Sequence, residues 1–167
     1  MWIPDDKGEL IMSTQWRVVI GSDSAGLLYK DALLEDLKKN SNVSTVVDLG
    51  VNTDSPTSQE YPEVAILAGE SIIRGDADRG ILICGTGIGV AISANKVRGI
   101  RATVAHDSFS VERSILSNDC QILTMGQRVI GLELARKLMK EWLTYTFDTT
   151  SASADKVKII CGYEDKN

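Results

Sequence analysis

The chain has 167 residues, of which 43% are hydrophobic and 25% are charged, and its formal net charge is −5 at pH 7. This length and composition are typical of one globular domain with a sizeable core, and the negative charge argues against a general nucleic-acid binder, which usually carries a basic face. The three cysteines form no CxxC pair and no apolar run approaches the ~20 residues of a membrane span, so we expect a cytoplasmic protein with reduced thiols.

The predicted elements begin after residues 1–14, which show no hydrophobic period and are expected to be a loose N-terminal extension of a single domain over residues 15–167. Five short apolar runs then alternate with segments of helical spacing. The expected strands lie at residues 16–21, 45–50, 81–84, 100–105 and 120–126, and the expected helices start near residues 27, 62, 90, 108 and 131. This alternation predicts a doubly wound α/β fold, in which a five-stranded parallel sheet lies between two layers of helices. A last short packed element is expected around Val157.

Polar and reactive side chains follow several of the predicted strands. In doubly wound folds, ligands bind outside the carboxyl ends of the strands, so most of these side chains are expected at one edge of the sheet. The segments concerned are Ser22-Asp23-Ser24, Cys84-Gly85-Thr86, His106-Asp107 and Gly126-Gln127-Arg128.

Three glycines follow the third predicted strand at alternate positions, after Cys84 and before a helical pattern. A buried strand that breaks into glycines and then a helix commonly points backbone N–H groups at an anion. The spacing of Gly85, Gly87 and Gly89 matches neither the dinucleotide fingerprint nor a P-loop. Spacing alone therefore leaves two interpretations open, an anion-binding loop and a tight turn between strand and helix.

Cys84 and His106 both stand at the end of a predicted strand. A cysteine at a strand end is more often a buried packing residue than a reactive one, but N–H groups of a helix N-terminus favour a thiolate at Cys84. Cys120 and Cys161 lack that setting and are predicted to be packing residues. His106, the only histidine, is interpreted either as a cap or partner of Asp107 or as half of a Cys/His pair. One histidine without a cysteine cluster predicts no metal site.

Five segments of the chain, taken together, match a known pattern. They are residues 81–89, 94–102, 106–110, 118–119 and 125–131. Together they resemble the ribose-5-phosphate isomerase B family, which also includes galactose-6-phosphate isomerase subunits, and the likeness extends from about residue 18 to residue 147. The resemblance implies a three-layer, Rossmann-like α/β/α fold with strand order 2-1-3-5-4. It also implies a homodimer with active sites at the subunit interface, and neither a metal nor an organic cofactor.

The resemblance further implies roles for single residues. An aldose–ketose isomerase moves a proton between C1 and C2 through a cis-enediolate, so it needs a base over these carbons and donors for the oxyanion. Cys84 matches the position of the family's base, and Thr86 is placed to relay protons between O1 and O2. The backbone amides expected to form the anion hole are those of Gly85, Gly87, Ile88 and Gly89. Substrate contacts are expected at Asp23, Ser24, Tyr61, His106 and Asn118, and phosphate contacts at Arg113, Arg128 and Lys156.

The chain departs from the family pattern at two histidines. Ser24 and Ser117 stand where members acting on ribose phosphate carry histidine, and the second of these histidines is implicated in opening the furanose ring. A tetrose 4-phosphate cannot form that ring through its phosphorylated oxygen, so it would need no ring-opening acid. The C-terminal basic cluster is also thin, with Ala152 where an arginine is expected and Lys156 at another such position.

Segments 21–26 and 112–118 look more like the branch of the family that acts on erythrose 4-phosphate and erythrulose 4-phosphate. In that branch Arg113 would replace the missing cationic contacts, although a solvated helix residue is an equally open interpretation.

The predicted function is that of a sugar-phosphate isomerase of the ribose-5-phosphate isomerase B type, converting ribose 5-phosphate to ribulose 5-phosphate with Cys84 as base. The alternative favoured by the missing histidines is a tetrose-phosphate isomerase. An alternative of another class is a catalytically inactive sugar-phosphate-binding protein, but such a protein would not need the thiol of Cys84. A second copy of the chain is the expected partner, and neither nucleic acid nor membrane is expected.

Overall fold

The computed structural model describes residues 2–4, 10–12, 15–53 and 59–166. In this part of the chain the strands are β1 (Trp2–Pro4), β2 (Leu10–Met12), β3 (Trp16–Ser22), β4 (Val43–Gly50), β5 (Arg79–Cys84), β6 (Ala102–Val104) and β7 (Ile122–Gly126). The helices are α1 (Leu27–Leu37), α2 (Tyr61–Ile73), α3 (Ile88–Ala94), α4 (Ser108–Leu116), α5 (Leu132–Trp142) and α6 (Ala152–Glu164). None of these described helices has the length and apolar character that a membrane crossing requires.

One five-stranded parallel sheet organises the molecule, with the order β4-β3-β5-β7-β6. Counted from β3, this is the predicted order 2-1-3-5-4, which is confirmed. The register pairs Ile81 of β5 with Ile20 of β3 and with Leu123 of β7. The same register pairs Cys84 with Gly126 at the carboxyl edge of the sheet.

The three layers follow from the alternation of side chains along buried strands. On one face, Ile81 and Ile83 of β5 pack in a core with residues of α1, α4 and α5. On the other face, Leu82 and Cys84 pack with residues of α2 and α3. Every residue of β5 is buried, as expected for the central strand of a sheet covered on both sides. The predicted α/β/α arrangement is therefore confirmed, and Cys84 belongs to the layer of α2 and α3.

The structure differs from the prediction at both ends of the chain. β1 and β2 pair as a two-stranded antiparallel sheet, whereas no regular structure was expected before residue 15. Two short apolar runs flank Pro4 and Gly8 there, a pattern too short for a hydrophobic period to be recognised. α6 begins at Ala152, well before Val157. Ala154 and Val157 are buried, whereas Ala152 and Asp155 are exposed, so only one face of this first part of the helix is packed.

A buried guanidinium ties the start of β5 to the end of α5. The Arg79 side chain, in a residue only 5% exposed, donates to the carbonyl oxygens of Trp142 (2.7 Å) and Tyr145 (2.5 Å). It also lies over the rings of Trp16 and Trp142, at 3.7 and 4.9 Å from their centroids, where cation–π attraction adds to the hydrogen bonds. Burial lowers the pKa of Arg79 to about 10, so the group keeps its charge at neutral pH.

We expect Arg79→Met to lower the free energy of unfolding by about 3 kcal/mol, because two buried carbonyl groups lose their donor. Urea unfolding followed by circular dichroism measures the change. Arg74→Met is the matched control, since Arg74 is exposed and contacts only exposed carboxylates. Equal effects of the two substitutions would contradict a structural role of the buried guanidinium.

Candidate active site

The turn that follows β5 holds the thiol of Cys84. Gly87 is the N-cap of α3 and has a φ of 80°, a conformation that L side chains rarely adopt. Its N–H donates to the Cys84 Sγ at 3.1 Å, and the N–H of Ile88 donates to Thr86 Oγ1 at 3.3 Å. Two of the four amides expected to form the anion hole therefore already have partners within the turn. An incoming oxyanion would share these N–H groups with the thiol and the hydroxyl.

The turn after β7 supports the turn after β5 through backbone contacts. The N–H of Gln127 donates to the carbonyl of Cys84 (2.9 Å), and the N–H of Arg128 donates to the carbonyl of Gly85 (3.0 Å). The hydroxyl of Thr124, in β7, donates to the carbonyl of Gly87 at 2.8 Å. Gln127 belongs to a strand-end segment that the sequence predicted at this edge, whereas Thr124 was not predicted, and its signal was a hydroxyl residue inside an apolar strand.

The side chain of Arg128 lies over the glycine turn. A Cβ placed on Gly85 would meet the Arg128 Cδ, Nε and Cζ atoms at 3.6 Å. The guanidinium therefore stands next to the turn that carries Cys84, and Arg128 is exposed to solvent. A planar, fixed set of donors in this place suits a phosphate group.

Tyr61 closes the opposite side of the glycine turn. It is the first residue of α2, and a Cβ on Gly89 would lie only 2.6 Å from its Cε2 atom. The ring therefore packs directly on the backbone of Gly89, and a side chain at that position would displace it. The turn after β3 is also close, because a Cβ on Gly26 would lie 2.5 Å from the carbonyl oxygen of Ile83.

In the turn after β3, Asp23 accepts a hydrogen bond from the N–H of Ala25 at 3.0 Å, which fixes the direction of its carboxylate. Asp23 is half-buried and Ser24 is exposed. The carboxyl edge of the sheet thus brings together the strand-end segments that carry Asp23, Cys84 and Arg128, as expected from the sequence. Tyr61, which was not among those segments, lies beside them.

His106 has a different partner from either one expected. Its Nε2 accepts a hydrogen bond from the N–H of Gly126 at 2.9 Å, so the imidazole is neutral with its proton on Nδ1. Asp107 instead caps α4 by accepting from the N–H of Ser110 at 2.8 Å. Burial lowers the pKa of His106, which favours the same neutral form. His106 is therefore connected to Cys84 only indirectly, because the Gly126 to which it binds is the residue paired with Cys84 in the sheet.

Asn118 lies at the other edge of the sheet. Its carbonyl accepts from the Nε of Arg101 at 3.0 Å, and Arg101 directly precedes β6. The first residue of β6 pairs with Ile122, which in turn pairs with Gly80 near the start of β5. Gly80 lies four positions before Cys84, which is about 13 Å along a strand. One chain therefore does not bring Asn118 together with the Cys84 turn.

Arg113 lies beside Asn118 in a cavity of about 560 Å³ at this second edge. Its Nη2 donates to Glu112 at 2.6 Å and its Nη1 to Ser117 Oγ at 3.4 Å. Its Nε is buried and has no hydrogen-bond partner among the residues that the structure describes. Lys156 is exposed on α6. The end of α6 lies on the same side of the sheet, where the Glu164 carboxylate accepts a hydrogen bond from the N–H of Gly99.

The other two cysteines differ from Cys84 in their surroundings. Cys120 is buried, and burial raises its pKa to about 12, so it stays a thiol at neutral pH. Cys161 is half-buried and lies 3.8 Å from the Nη1 of Arg101. Among the residues that the structure describes, no three His, Cys, Asp or Glu side chains are grouped so that they could hold a metal ion.

Comparison with known proteins gives consistent results. A family model described as Ribose/Galactose Isomerase matches residues 18–160. D-erythrulose-4-phosphate isomerase 2 of Mycolicibacterium smegmatis is 59% identical over 89% of this chain and 97% of that protein. D-erythrulose-4-phosphate isomerase of Pectobacterium atrosepticum is 42% identical over 88% of this chain and 94% of that protein. The type B ribose 5-phosphate isomerase of Leishmania infantum superposes with a TM-score of 0.85 at 34% identity, covering 92% of this chain and 99% of that one.

The neutral state of His106 predicts a pH dependence of stability. Because its pKa is lower in the folded than in the unfolded chain, the unfolded chain binds more protons, and the free energy of unfolding falls as the pH falls below about 6.5. In His106→Gln the amide oxygen replaces Nε2 as acceptor and does not titrate, so this part of the pH dependence is lost. Urea unfolding between pH 5 and pH 8 measures both proteins. If the free energy of unfolding changed with pH equally in the wild type and the variant, the neutral state of His106 would be refuted.

Proposed function

The chain belongs to the ribose/galactose isomerase family, and on that premise we propose that it interconverts erythrulose 4-phosphate and erythrose 4-phosphate. Isomerisation of a sugar phosphate is the activity of the family, and the four-carbon substrate is the finer proposal. The feature that carries it is Ser117, which, by the resemblance described above, stands where members acting on ribose phosphate carry the histidine implicated in ring opening. Two relatives named D-erythrulose-4-phosphate isomerases, at 59% and 42% identity, support it.

Ser117 has no chemistry for opening a sugar ring. Its half-buried hydroxyl lies 3.4 Å from the Nη1 of Arg113, and a serine hydroxyl is not an acid at neutral pH. A pentose 5-phosphate has a free 4-hydroxyl and closes to a furanose, which must open before C2 can lose its proton. In a tetrose 4-phosphate this oxygen carries the phosphate, so the substrate reaches the site as an open chain.

In the proposed reaction, the Cys84 thiolate takes the proton from C2 of the aldose. The electron pair of that bond forms the C1–C2 double bond, and negative charge develops on O1 of the cis-enediolate. The hydroxyl of Thr86 moves the proton from O2 to O1, and the Cys84 thiol then returns its proton to C1, which leaves the carbonyl at C2. The N–H of Gly87, 3.1 Å from Sγ, stabilises the thiolate before the transfer. Arg128 binds the phosphate at the edge of the glycine turn.

The active site is proposed to lie between two copies of the chain. Asn118 and Arg113 lie at the amino edge of the sheet, and Cys84 lies at its carboxyl edge, so a second copy is needed to bring the two groups together. An apolar face suited to such a contact is present on α3, where Ile88 and Ile92 are 53% and 58% exposed. A homodimer would bury these side chains and form two equal sites.

Ribose 5-phosphate is the competing substrate. The likeness to the type B ribose 5-phosphate isomerase of Leishmania infantum, with a TM-score of 0.85, favours it. A protein that only binds sugar phosphates is disfavoured because it would have no use for Cys84 and Thr86. A cytoplasmic location stays a prediction from the sequence.

We expect a kcat/KM for erythrulose 4-phosphate at least about tenfold above that for ribose 5-phosphate, because the second substrate depends on spontaneous ring opening. Coupled assays with both substrates measure the ratio. Ser117→His is expected to raise turnover of ribose 5-phosphate and leave turnover of the tetrose phosphate largely unchanged. A wild-type preference for ribose 5-phosphate would refute the four-carbon proposal.

Cys84→Ala is expected to lower kcat by a factor of about 10³ without loss of the dimer, because it removes the base. An Arg113→Ala/Asn118→Ala variant is expected to be inactive for a different reason, loss of the other half of the site. When the two inactive proteins are unfolded and refolded together, mixed dimers contain one intact site each, so roughly a quarter of wild-type activity returns. Cys161→Ser serves as the thiol control. No recovery on mixing would contradict a site shared between subunits.

A further inference from the structure

Lys30, in α1, is a buried charge that the proposed reaction does not use. Its side chain is 0% exposed, and its ammonium donates to both carboxylate oxygens of Asp48 (2.9 and 2.8 Å), to the carbonyl of Val51 (2.9 Å) and to the Oδ1 of Asn52 (2.5 Å). The carboxylate of Asp31, the next residue of the helix, lies 3.1 Å away. We call these five residues the Lys30 cluster. Burying an ammonium is costly unless it is both neutralised and fully hydrogen-bonded, as it is here.

The cluster holds the end of β4 and the chain that leaves it. Gly50, the last residue of β4, has a φ of 89°, and a Cβ there would lie 2.4 Å from the carbonyl oxygen of Ser22. The N–H of Val51 donates to the same carbonyl at 3.1 Å. The two residues after this turn, Val51 and Asn52, are the ones that Lys30 binds. The end of β4 is therefore held from β3 on one side and from α1 on the other.

This end of β4 is also the surface on which the first turn of α2 rests. The Cγ atoms of Val64 would lie 2.8 Å from a Cβ on Gly50 and 2.6 Å from one on Gly21, so the helix packs on bare backbone. Tyr61 lies one helical turn before Val64, and its ring packs on Gly89 in the turn after β5. A contact path therefore runs from Lys30 through the end of β4 and the first turn of α2 to the glycine turn.

We propose that Lys30 is a positioning residue for the active site. By holding the end of β4, Lys30 fixes the backbone on which the first turn of α2 packs. It thereby fixes the position of Tyr61 against Gly89. A hydrophobic residue of similar size could fill the space of the side chain but could not bind Val51 and Asn52. The effect on turnover rests on the proposed function, whereas the effect on the position of Tyr61 does not.

The sharpest test changes Asn52 and leaves the Lys30–Asp48 pair intact. Asn52→Ala removes one acceptor from the cluster, and Asn52→Asp restores an oxygen in its place. Hydrogen exchange measured by mass spectrometry is expected to become at least about tenfold faster in Asn52→Ala for peptides covering 61–67 and 85–91, and to stay unchanged for peptides of α5. Lys38→Met, at the exposed lysine that caps the C-terminus of α1, is the control and is expected to match wild type.

Kinetics provide the second measurement. Asn52→Ala is expected to raise the KM for erythrulose 4-phosphate several-fold with little change in kcat, because Tyr61 contributes binding and the base is untouched. Asn52→Asp is expected to recover the wild-type KM. Unchanged exchange in peptides 61–67 and 85–91, or equally faster exchange throughout the sheet, would overturn the proposal. Absence of turnover in the wild-type protein would instead refute the proposed function, while the exchange experiment would still decide the role of Lys30.

Discussion

The structure depends most on a contact between two backbones that no side chain separates. The turn after Cys84 lies directly on the end of β7, where a Cβ on Gly126 would be 2.6 Å from the carbonyl carbon of Thr86. Only at this separation can the N–H of Arg128 reach the carbonyl of Gly85. Glycine is therefore required at position 126 for this close approach, whereas Gly87 in the facing turn is required for its φ of 80°. The thiol, the hydroxyl and the guanidinium come together because the turns that carry them are in contact.

Two buried cations, Arg79 and Lys30, form directional hydrogen bonds in a fold whose cores are otherwise held by apolar packing. The cores on the two faces of the sheet are built mainly from aliphatic side chains. Because such contacts are not directional, they hold each helix against the sheet without fixing its position along the strands. Arg79 binds carbonyl groups at the end of α5, where the negative end of the helix dipole lies. Lys30 binds Asp48 and the chain that follows β4. The helices α1 and α5, which pack on the same face of the sheet, are thus fixed by hydrogen bonds whose loss would leave buried groups unpaired.

The sheet, the layers and the Cys84 turn could be predicted from the sequence, because strand ends and glycines can be recognised there directly. The role of His106 could not be predicted, since its bond to Gly126 depends on how β6 pairs with β7. The separation of Asn118 from Cys84 also required the register of the strands. Lys30 reads as an ordinary helical residue, and its burial follows only from the position of β4 beside α1. What escaped prediction were contacts between segments distant in the chain.

The separation of the two groups of residues has an evolutionary consequence. The proposed base, Cys84, and its backbone donors belong to the end of β5 and the turn that follows it, whereas Arg113 belongs to α4 and Ser117 directly follows that helix. Under the proposed function, a substitution in α4 would change which sugar phosphate is accepted without moving the thiol of Cys84. Substrate choice and proton transfer could then diverge independently in this architecture, and one reaction could serve sugars of different length.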